Sequence, residues 1–168
     1  MNRPQQSEPK VQDEVEQFIA SANSIVISTI SQDGCPDTGV APFAMLDEHF
    51  VILVSELSAH TKNLMAGRAV SALIMADDNR AANAFARPRL SLQMSATEIP
   101  RDDAKFARLV DALRNRHGET VELLVSLPDF HAFALTPRQI RWISGFAKTY
   151  ISENGELANF RAYKAKSG

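Results

Sequence analysis

The sequence predicts a mainly β fold, an antiparallel barrel of six or seven strands with helices at its periphery. Two observations lead to this expectation. Short runs rich in β-branched and aromatic residues recur along the chain and are separated by turn signals. Most of these runs are joined by short turns, which favours an antiparallel barrel over a doubly wound parallel sheet.

The first part of the chain predicts one helix followed by a meander of three strands. Apolar residues recur at helical spacing between residues 11 and 23. Strands are predicted at residues 24–31, 38–46 and 50–55. Asp33-Gly34 is a turn signal between the first two strands. Pro42 has no backbone N–H, so the second strand is expected to lie at an edge or to contain a bulge.

The remainder of the chain predicts three helices and four more strands. Ser58 is expected to cap a short helix at residues 58–67. A longer helix is expected to begin at Asp102 or Asp103 and to end at Gly118. The other predicted elements are strands at 69–76 and 89–99, a helix at 119–126, and strands at 130–135 and 139–151 around Thr136-Pro137. The C-terminal tail is weakly patterned.

Composition limits the possible classes of protein. The 168 residues fit one domain, expected at 11–160 between a loose arm at 1–10 and a tail at 161–168. Eighteen Lys+Arg against 20 Asp+Glu argue against a nucleic-acid binder. Without a membrane-length apolar run or a signal-like start, we expect a cytoplasmic protein with no membrane contact. The single cysteine excludes a disulfide framework and a Cys-rich metal site.

Familiar catalytic motifs are missing from the sequence. It contains no serine-hydrolase elbow, P-loop, dinucleotide fingerprint or zinc-protease helix. The four histidines lie too far apart in the chain to form a local metal site. The chemistry therefore has to be sought in less specific polar segments.

The segment 55–63 is the most informative one for function. It follows a strand and opens a helix, so its unpaired backbone N–H groups favour a phosphate or a carboxylate. Its predicted cofactor-binding residues are Ser55, Ser58, His60, Thr61 and Asn63. The alternative is a capped helix with a solvated polar face. Local positive charge is expected at His60, Lys62, Arg87 and Arg89.

Other candidate residues lie further along the chain. Arg87 and Arg89 are two residues apart on an extended chain and can clamp an anion from one side, or form ordinary salt bridges. Lys148 interrupts an apolar run and is a third predicted cofactor-binding residue outside segment 55–63. His131 and Asp129 are the catalytic candidates, with a satisfied structural histidine and a turn residue as the alternatives.

Four short motifs occur in order along the chain. They are Asp33-Gly34 with Ala41-Pro42-Phe43, then Ser58-Ala59-His60-Thr61-Lys62-Asn63-Leu64, then Phe85-Ala86-Arg87-Pro88-Arg89-Leu90, and finally Gly145-Phe146-Ala147-Lys148-Thr149-Tyr150. Together they resemble the FMN-binding split barrels related to pyridoxamine 5′-phosphate oxidase. More closely, they resemble the haem-utilisation family of the HutZ/HugZ type.

The resemblance implies a six-stranded split barrel and a homodimer with two ligand clefts at its interface. In flavin-binding relatives the region of segment 55–63 lies where the FMN phosphate binds. In the haem branch the cleft holds haem, which is degraded oxidatively with electrons from an external donor. Pyridoxamine phosphate oxidation is not expected, because His60 and Leu90 stand where those enzymes have lysine and glutamine.

The resemblance does not transfer an iron ligand to this chain. The haem branch uses a histidine near the C-terminus, and this sequence has none after His131. Tyr163 is a candidate replacement, since tyrosine also ligates haem. Three functions therefore stay open: a haem-degrading enzyme, an FMN-dependent oxidoreductase, and a non-catalytic carrier of haem or flavin.

Overall fold

The computed structural model describes residues 9–77 and 83–163. The helices in this part are α1 (Pro9–Ser21), α2 (Ala59–Met65), α3 (Ala104–His117) and α4 (Thr120–Ser126). The strands are β1 (Ser24–Ile30), β2 (Pro36–Leu46), β3 (His49–Ser55), β4 (Val70–Met75), β5 (Arg89–Glu98), β6 (Phe130–Gly145), β7 (Lys148–Ser152) and β8 (Arg161–Ala162). A short 3₁₀ helix covers Ala84–Ala86. Most of the predicted N-terminal arm and the end of the tail lie outside the described residues.

The strands form one sheet in the order β3-β2-β1-β4-β5-β6-β7-β8. An additional pairing of β3 with β6 joins the first six strands of this order into a closed ring. The pairs β1–β2, β2–β3, β3–β6, β6–β7 and β7–β8 are antiparallel. The predicted six-stranded antiparallel barrel with peripheral helices is therefore confirmed.

The chain divides into two compact units, which we call the meander unit and the terminal unit. The meander unit comprises Asn23–Ala72 and Met94–Thr136. The terminal unit comprises the described residues of Met1–Ala22, Leu73–Gln93 and Pro137–Gly168. Strands β4, β5 and β6 each contribute residues to both units. The predicted extent of a single domain, 11–160, stays a prediction.

The first three strands form the predicted antiparallel meander. Gly34 adopts a φ of 83° in the turn after β1, as the Asp33-Gly34 signal predicts. The prediction for Pro42 is wrong, because β2 lies between β1 and β3 and keeps a regular register. Pro42 is the last residue of β2 paired with β1, and Phe43 is the first paired with β3. The proline thus occupies the point where β2 changes neighbours.

Strand β3 is buried on both faces, which explains its continuous apolar sequence. Side chains alternate along the β3–β6 ladder. One face is formed by Phe50, Ile52, Phe133 and Leu135. The other is formed by Val51, Leu53, Ala132 and Ala134, and it packs against Leu109 and Leu113 of α3 and Val121 of α4.

The predicted strands around Thr136-Pro137 are wrong in two respects. Strand β6 runs without interruption through Pro137, which lies between the residues paired with β3 and those paired with β7. The predicted strand at 139–151 is divided by a turn at Phe146-Ala147, where Ala147 has a φ of 56°. This position is an alanine and not a glycine or asparagine, so the usual turn signal is missing from the sequence.

The terminal unit has its own buried residues. On α1, Val11, Val15 and Ile19 are buried as the helical spacing predicts. The ring of Phe18 lies 4.7 Å from that of Trp142 on β6, measured between centroids. The tail also contributes, because β8 pairs with β7 and Phe160 is 2% exposed.

The β2–β3 hairpin has a two-residue turn, Asp47-Glu48, with both residues at positive φ (47° and 65°). This is the geometry of a type I′ turn, which normally favours glycine at its second position. Arg108 of α3 binds both carboxylate oxygens of Asp47, at 3.0 and 2.8 Å. Arg108 therefore holds Asp47 in its positive-φ conformation. Glu48 adopts a strained positive φ without a comparable side-chain contact among the described residues.

We expect Glu48→Gly to stabilise the protein by about 0.5–1 kcal/mol, because glycine relieves the left-handed strain. Urea unfolding measures the effect as a higher midpoint with an unchanged slope. Glu48→Val is the contrasting variant, since a β-branched residue tolerates positive φ poorly. A Gly variant less stable than the Val variant would contradict this account of the turn.

Candidate functional site

The predicted site residues are divided between the two units. Ser55, Ser58, His60, Thr61, Asn63, Asp129 and His131 belong to the meander unit. Arg87, Arg89 and Lys148 belong to the terminal unit. Each group is described by the contacts within its own unit.

Ser55 and Asp129 are brought together although 74 positions separate them in the chain. The Ser55 hydroxyl donates to Oδ2 of Asp129 at 2.6 Å and accepts from the backbone N–H of Leu57 at 3.1 Å. The backbone N–H of Glu56 donates to the Asp129 carbonyl at 2.9 Å. The β3–β6 pairing makes this contact possible, because Ser55 is opposite Phe130 in the ladder. The Asp129 carboxylate is thus fixed beside the end of β3.

Arg101 stabilises the corner between α4 and β6 that carries Asp129. Its guanidinium donates to three backbone carbonyls, those of Val125, Leu127 and Phe130. The last two contacts measure 2.7 and 3.1 Å. Carbonyls at the end of a helix lack intrahelical partners, so a cation there satisfies them.

Two of the predicted cofactor-binding side chains, Thr61 and Asn63, are buried and already hydrogen-bonded. The Thr61 hydroxyl donates to the Ser55 carbonyl at 2.6 Å. The side-chain amide of Asn63 donates to Oγ1 of Thr29, which is also buried, at 2.9 Å. These bonds attach α2 to β3 and β1. A cofactor contact for either residue stays a prediction.

Ser58 occupies the N-cap of α2, as predicted, but its side chain makes no capping hydrogen bond. Its half-buried hydroxyl therefore remains available for a ligand. The expected row of unpaired backbone N–H groups is smaller than predicted. Those of Leu57, Ser58 and Thr61 donate to Ser55 Oγ, Ser55 O and Ser58 O respectively.

His60 is only 6% exposed and lies against Gly39 of β2. A Cβ added to Gly39 would be 2.2 Å from Nδ1 of His60, so the absence of a side chain at residue 39 creates the space for the ring. Burial lowers the pKa of His60 below 6.5, and the charge of Asp37 opposes this only in part. The expected positive charge at residue 60 is wrong at neutral pH, because the buried ring is neutral.

His131 lies between two carboxylates, an arrangement that we call the His131 clasp. Its Nε2 is 2.7 Å from Oε1 of Glu56, just after β3, and its Nδ1 is 2.8 Å from Oε1 of Glu98, at the end of β5. The hydrogen bond to Glu98, followed by that to Glu56, raises the pKa of His131 above 6.5 despite partial burial. The geometry matches the alternative of a satisfied structural histidine.

Neither glutamate of the clasp could be identified from the sequence. They are 75 and 33 positions from His131, and neither stands in a recognisable motif. Only the register of β3 against β6, in which Val54 is opposite His131, places Glu56 within reach. Period-2 patterning predicts strands but not which residues face each other across them.

In the terminal unit, both candidate arginines are half-buried and bind backbone carbonyls. Nε of Arg87 donates to the Ala76 carbonyl at 2.5 Å, and Nη1 of Arg89 donates to the Arg87 carbonyl at 2.9 Å. These bonds orient the guanidinium groups beside the start of β5. Lys148 is exposed at the start of β7. It follows Phe146 by two positions in the chain, and Phe146 is 77% exposed.

Within residues 9–77 and 83–163 no group of three or more His, Cys, Asp or Glu side chains is arranged to hold a metal ion. In the same part of the chain, no helix combines the length and the apolar character that crossing a membrane requires.

Comparison with known proteins places these observations in a family context. The family described as pyridoxamine 5′-phosphate oxidase matches residues 11–144. Heme oxygenase HutZ of Vibrio cholerae is 28% identical over 151 residues, which cover 90% of this chain and 86% of that protein. The resemblance stated from the four motifs is therefore confirmed.

Solved structures agree with this result. A crystal structure of V. cholerae HutZ, named as a heme storage protein, matches with a TM-score of 0.72 at 28% identity. The match covers 76% of this chain and 89% of the HutZ chain. Campylobacter jejuni ChuZ has a TM-score of 0.81 at 26% identity. This match covers 94% of the present chain and 65% of ChuZ, so ChuZ contains a substantial part without a counterpart here.

The His131 clasp predicts a pH dependence of stability. Because the folded-state pKa is raised, the contribution of the clasp is full below the unfolded value of 6.5 and is lost as pH rises through the folded value. We expect the stability difference between the wild type and His131→Gln to shrink from about pH 5.5 to about pH 8.5. Urea unfolding across this pH range measures the difference in unfolding free energy. Glu56→Gln removes only one of the two carboxylates, so its loss of stability should be smaller than that of His131→Gln. An NMR titration midpoint of His131 at or below 6.5 would contradict the assignment.

The packing of His60 on Gly39 predicts a coupled pair of substitutions. Gly39→Ala should destabilise the protein by about 1–3 kcal/mol, because its methyl group overlaps the imidazole ring. In the double variant Gly39→Ala/His60→Ala the overlap is removed, so the two effects should be less than additive. Thermal or urea unfolding of the four proteins in the cycle measures this coupling. Strict additivity would show that the ring does not require the space at Gly39.

Proposed function

This chain belongs to the pyridoxamine 5′-phosphate oxidase family, and on that premise we propose that it is a haem-utilisation protein of the split-barrel class. In this proposal it binds haem and degrades it oxidatively, which releases the iron. The observation that carries the proposal is the similarity to heme oxygenase HutZ over 90% of the chain. The likeness to the crystal structure of HutZ, with a TM-score of 0.72 at 28% identity, supports the same branch of the family.

The polar groups of the chain are compatible with an anionic ligand such as a haem propionate. Arg87 and Arg89 each donate to a backbone carbonyl, and the guanidinium of Arg89 has further N–H groups to donate. Ser58 offers a hydroxyl without an internal partner among the described residues, and His60 offers a neutral imidazole. Lys148 adds an exposed ammonium group. Bound haem would supply the redox chemistry of its iron, and a propionate can accept a hydrogen bond from any one of these donors.

The iron ligand is the point at which this chain differs from the haem branch. The histidine that the haem branch has near its C-terminus is missing here, and of the four histidines present only His131 has both ring nitrogens hydrogen-bonded to described residues. His60 is buried, His49 bonds Thr136, His117 bonds the Phe43 carbonyl, and His131 bonds two glutamates. Tyr163 is 46% exposed, with the guanidinium of Arg141 5.7 Å from its ring centroid. We propose its phenol as the candidate replacement for the missing C-terminal histidine, since tyrosine also ligates haem.

The second candidate function is an FMN-dependent oxidoreductase. The family match and the unpartnered hydroxyl of Ser58 favour it, because a phosphate accepts hydrogen bonds from such a group. The internal bonds of Thr61 and Asn63 count against a rich phosphate site at α2, since both side-chain donors are used within the protein. We therefore place haem before FMN. Pyridoxamine phosphate oxidation is not proposed.

Several parts of the proposal concern partners. We propose that the chain forms a homodimer with ligand clefts at its interface, and that an external donor supplies electrons if the protein is an enzyme. The cytoplasmic location expected from composition stays a prediction. A non-catalytic haem carrier remains the alternative to an enzyme, in keeping with the two descriptions of HutZ as an oxygenase and as a storage protein.

Hemin titration of the purified protein tests the proposal. We expect a saturable shift of the Soret band, accompanied by quenching of Trp142, the single tryptophan of the chain. His60→Ala should weaken binding by about fivefold, the loss expected from one hydrogen bond of about 1 kcal/mol. His117→Ala is the matched control and should bind hemin like the wild type, because His117 is engaged at the end of α3.

The outcomes separate the candidate functions. Loss of the Soret band on adding a reductant under oxygen identifies an enzyme, and a persistent band identifies a carrier. A protein that ignores hemin but copurifies with a yellow flavin would reject the haem proposal in favour of FMN. Equal weakening by His60→Ala and His117→Ala would reject the assignment of His60 to the site.

A further inference from the structure

A cavity of about 250 Å³ lies in the meander unit between α3 and the β2–β3 hairpin. Its floor is apolar and is formed by Val51, Ile99, Leu109 and Ala134. Val51 and Leu109 are each 1% exposed and Ile99 is 8% exposed, so the floor is part of the core.

The cavity has a simple origin in side-chain volume. Val51 of β3 is paired with Ala134 of β6, and alanine contributes only a methyl group to this face. Leu109 of α3 packs on this face without filling the space over Ala134. A ligand that filled this open cavity would remove the apolar floor from water and so contribute favourable burial.

One wall of the cavity is polar. The Thr136 hydroxyl and Nδ1 of His49 are hydrogen-bonded at 3.1 Å, and both residues line the space. A few polar groups beside an apolar floor are typical of sites for small amphipathic molecules.

The mouth of the cavity carries one uncompensated positive charge. Arg108 is neutralised by its two contacts with Asp47. Lys105 is exposed on the first turn of α3, and its ammonium group has no acidic partner among the residues that the structure describes. The charges of the lining residues Asp47, Lys105 and Arg108 therefore sum to +1.

We propose that this cavity binds a small monocarboxylate with a short aliphatic body. The body would lie on the floor formed by Val51, Ile99, Leu109 and Ala134, and the carboxylate would pair with Lys105 at the mouth. A monoanion matches the net charge of the lining, whereas a neutral molecule would leave Lys105 uncompensated.

This site is independent of the proposed haem function. None of its lining residues is among those proposed to hold haem, and a haem macrocycle is larger than the cavity. Failure to bind hemin would therefore not contradict the carboxylate site, and failure to bind a carboxylate would not contradict the haem proposal.

Hexanoate is a suitable probe, with 1-hexanol as its uncharged analogue of similar length. Titration of the ¹⁵N-labelled protein should shift the amide signals of Thr97, Ala134 and Thr136 saturably, with a Kd of about 1 mM. Lys105→Ala should raise the Kd by about threefold, the size expected for one exposed ion pair. Lys10→Ala is the matched control, because Lys10 is likewise exposed on the first turn of a helix, α1.

Ala134→Leu provides a second variant, since the larger side chain fills the cavity and should abolish binding. If the Ala134→Leu variant does not fold, the test is the difference in hexanoate Kd between Lys105→Ala and Lys10→Ala. The inference is overturned if hexanoate does not saturate by about 20 mM, or if the shifts map to other residues. It is also overturned if hexanol binds as tightly as hexanoate, or if both lysine variants bind alike.

Discussion

The pairing of β3 with β6 is the interaction on which the rest of this structure depends. It joins strands that are about 75 positions apart in the chain and completes the six-stranded ring. The same ladder sets the polar chemistry beside it, because Ser55 and Glu56 leave β3 where Asp129 and His131 enter β6. A register shift by one residue would turn His131 to the opposite face and separate it from both glutamates. The apolar pairs Phe50–Leu135 and Ile52–Phe133 therefore fix the polar contacts as well as the core.

The polar groups near the start of α2 fall into two classes. Ser55, Thr61 and Asn63 form hydrogen bonds within the protein and hold α2 in place. Ser58 has no such bond among the described residues, so its half-buried hydroxyl is free for the ligand that we propose, whereas the ring of His60 is buried against Gly39. This division explains how one short segment can serve the fold and a binding site together.

The sequence predicted the strands of the meander, both longer helices and the family, because each depends on local pattern or on short motifs. It failed at Pro137, since a proline is compatible with a long strand where that strand passes between two neighbours. It also failed to predict the neutral state of His60, which depends on the missing side chain at Gly39 of another strand. The His131 clasp could not be predicted for a similar reason: Glu56 and Glu98 come from different strands, and only the register brings them to the ring. Local chemistry was thus accessible from the sequence, whereas contacts between strands were not.

The three carbonyls bound by Arg101 have a consequence for recognition at the neighbouring corner. Because Val125, Leu127 and Phe130 are tied to one rigid guanidinium, the backbone on either side of Asp129 is ordered before any ligand arrives. The loss of conformational entropy that accompanies this ordering occurs during folding and does not reduce the affinity of a later encounter. A molecule that contacts the Asp129 corner would meet a preorganised edge, and its association rate would not be limited by rearrangement of the loop.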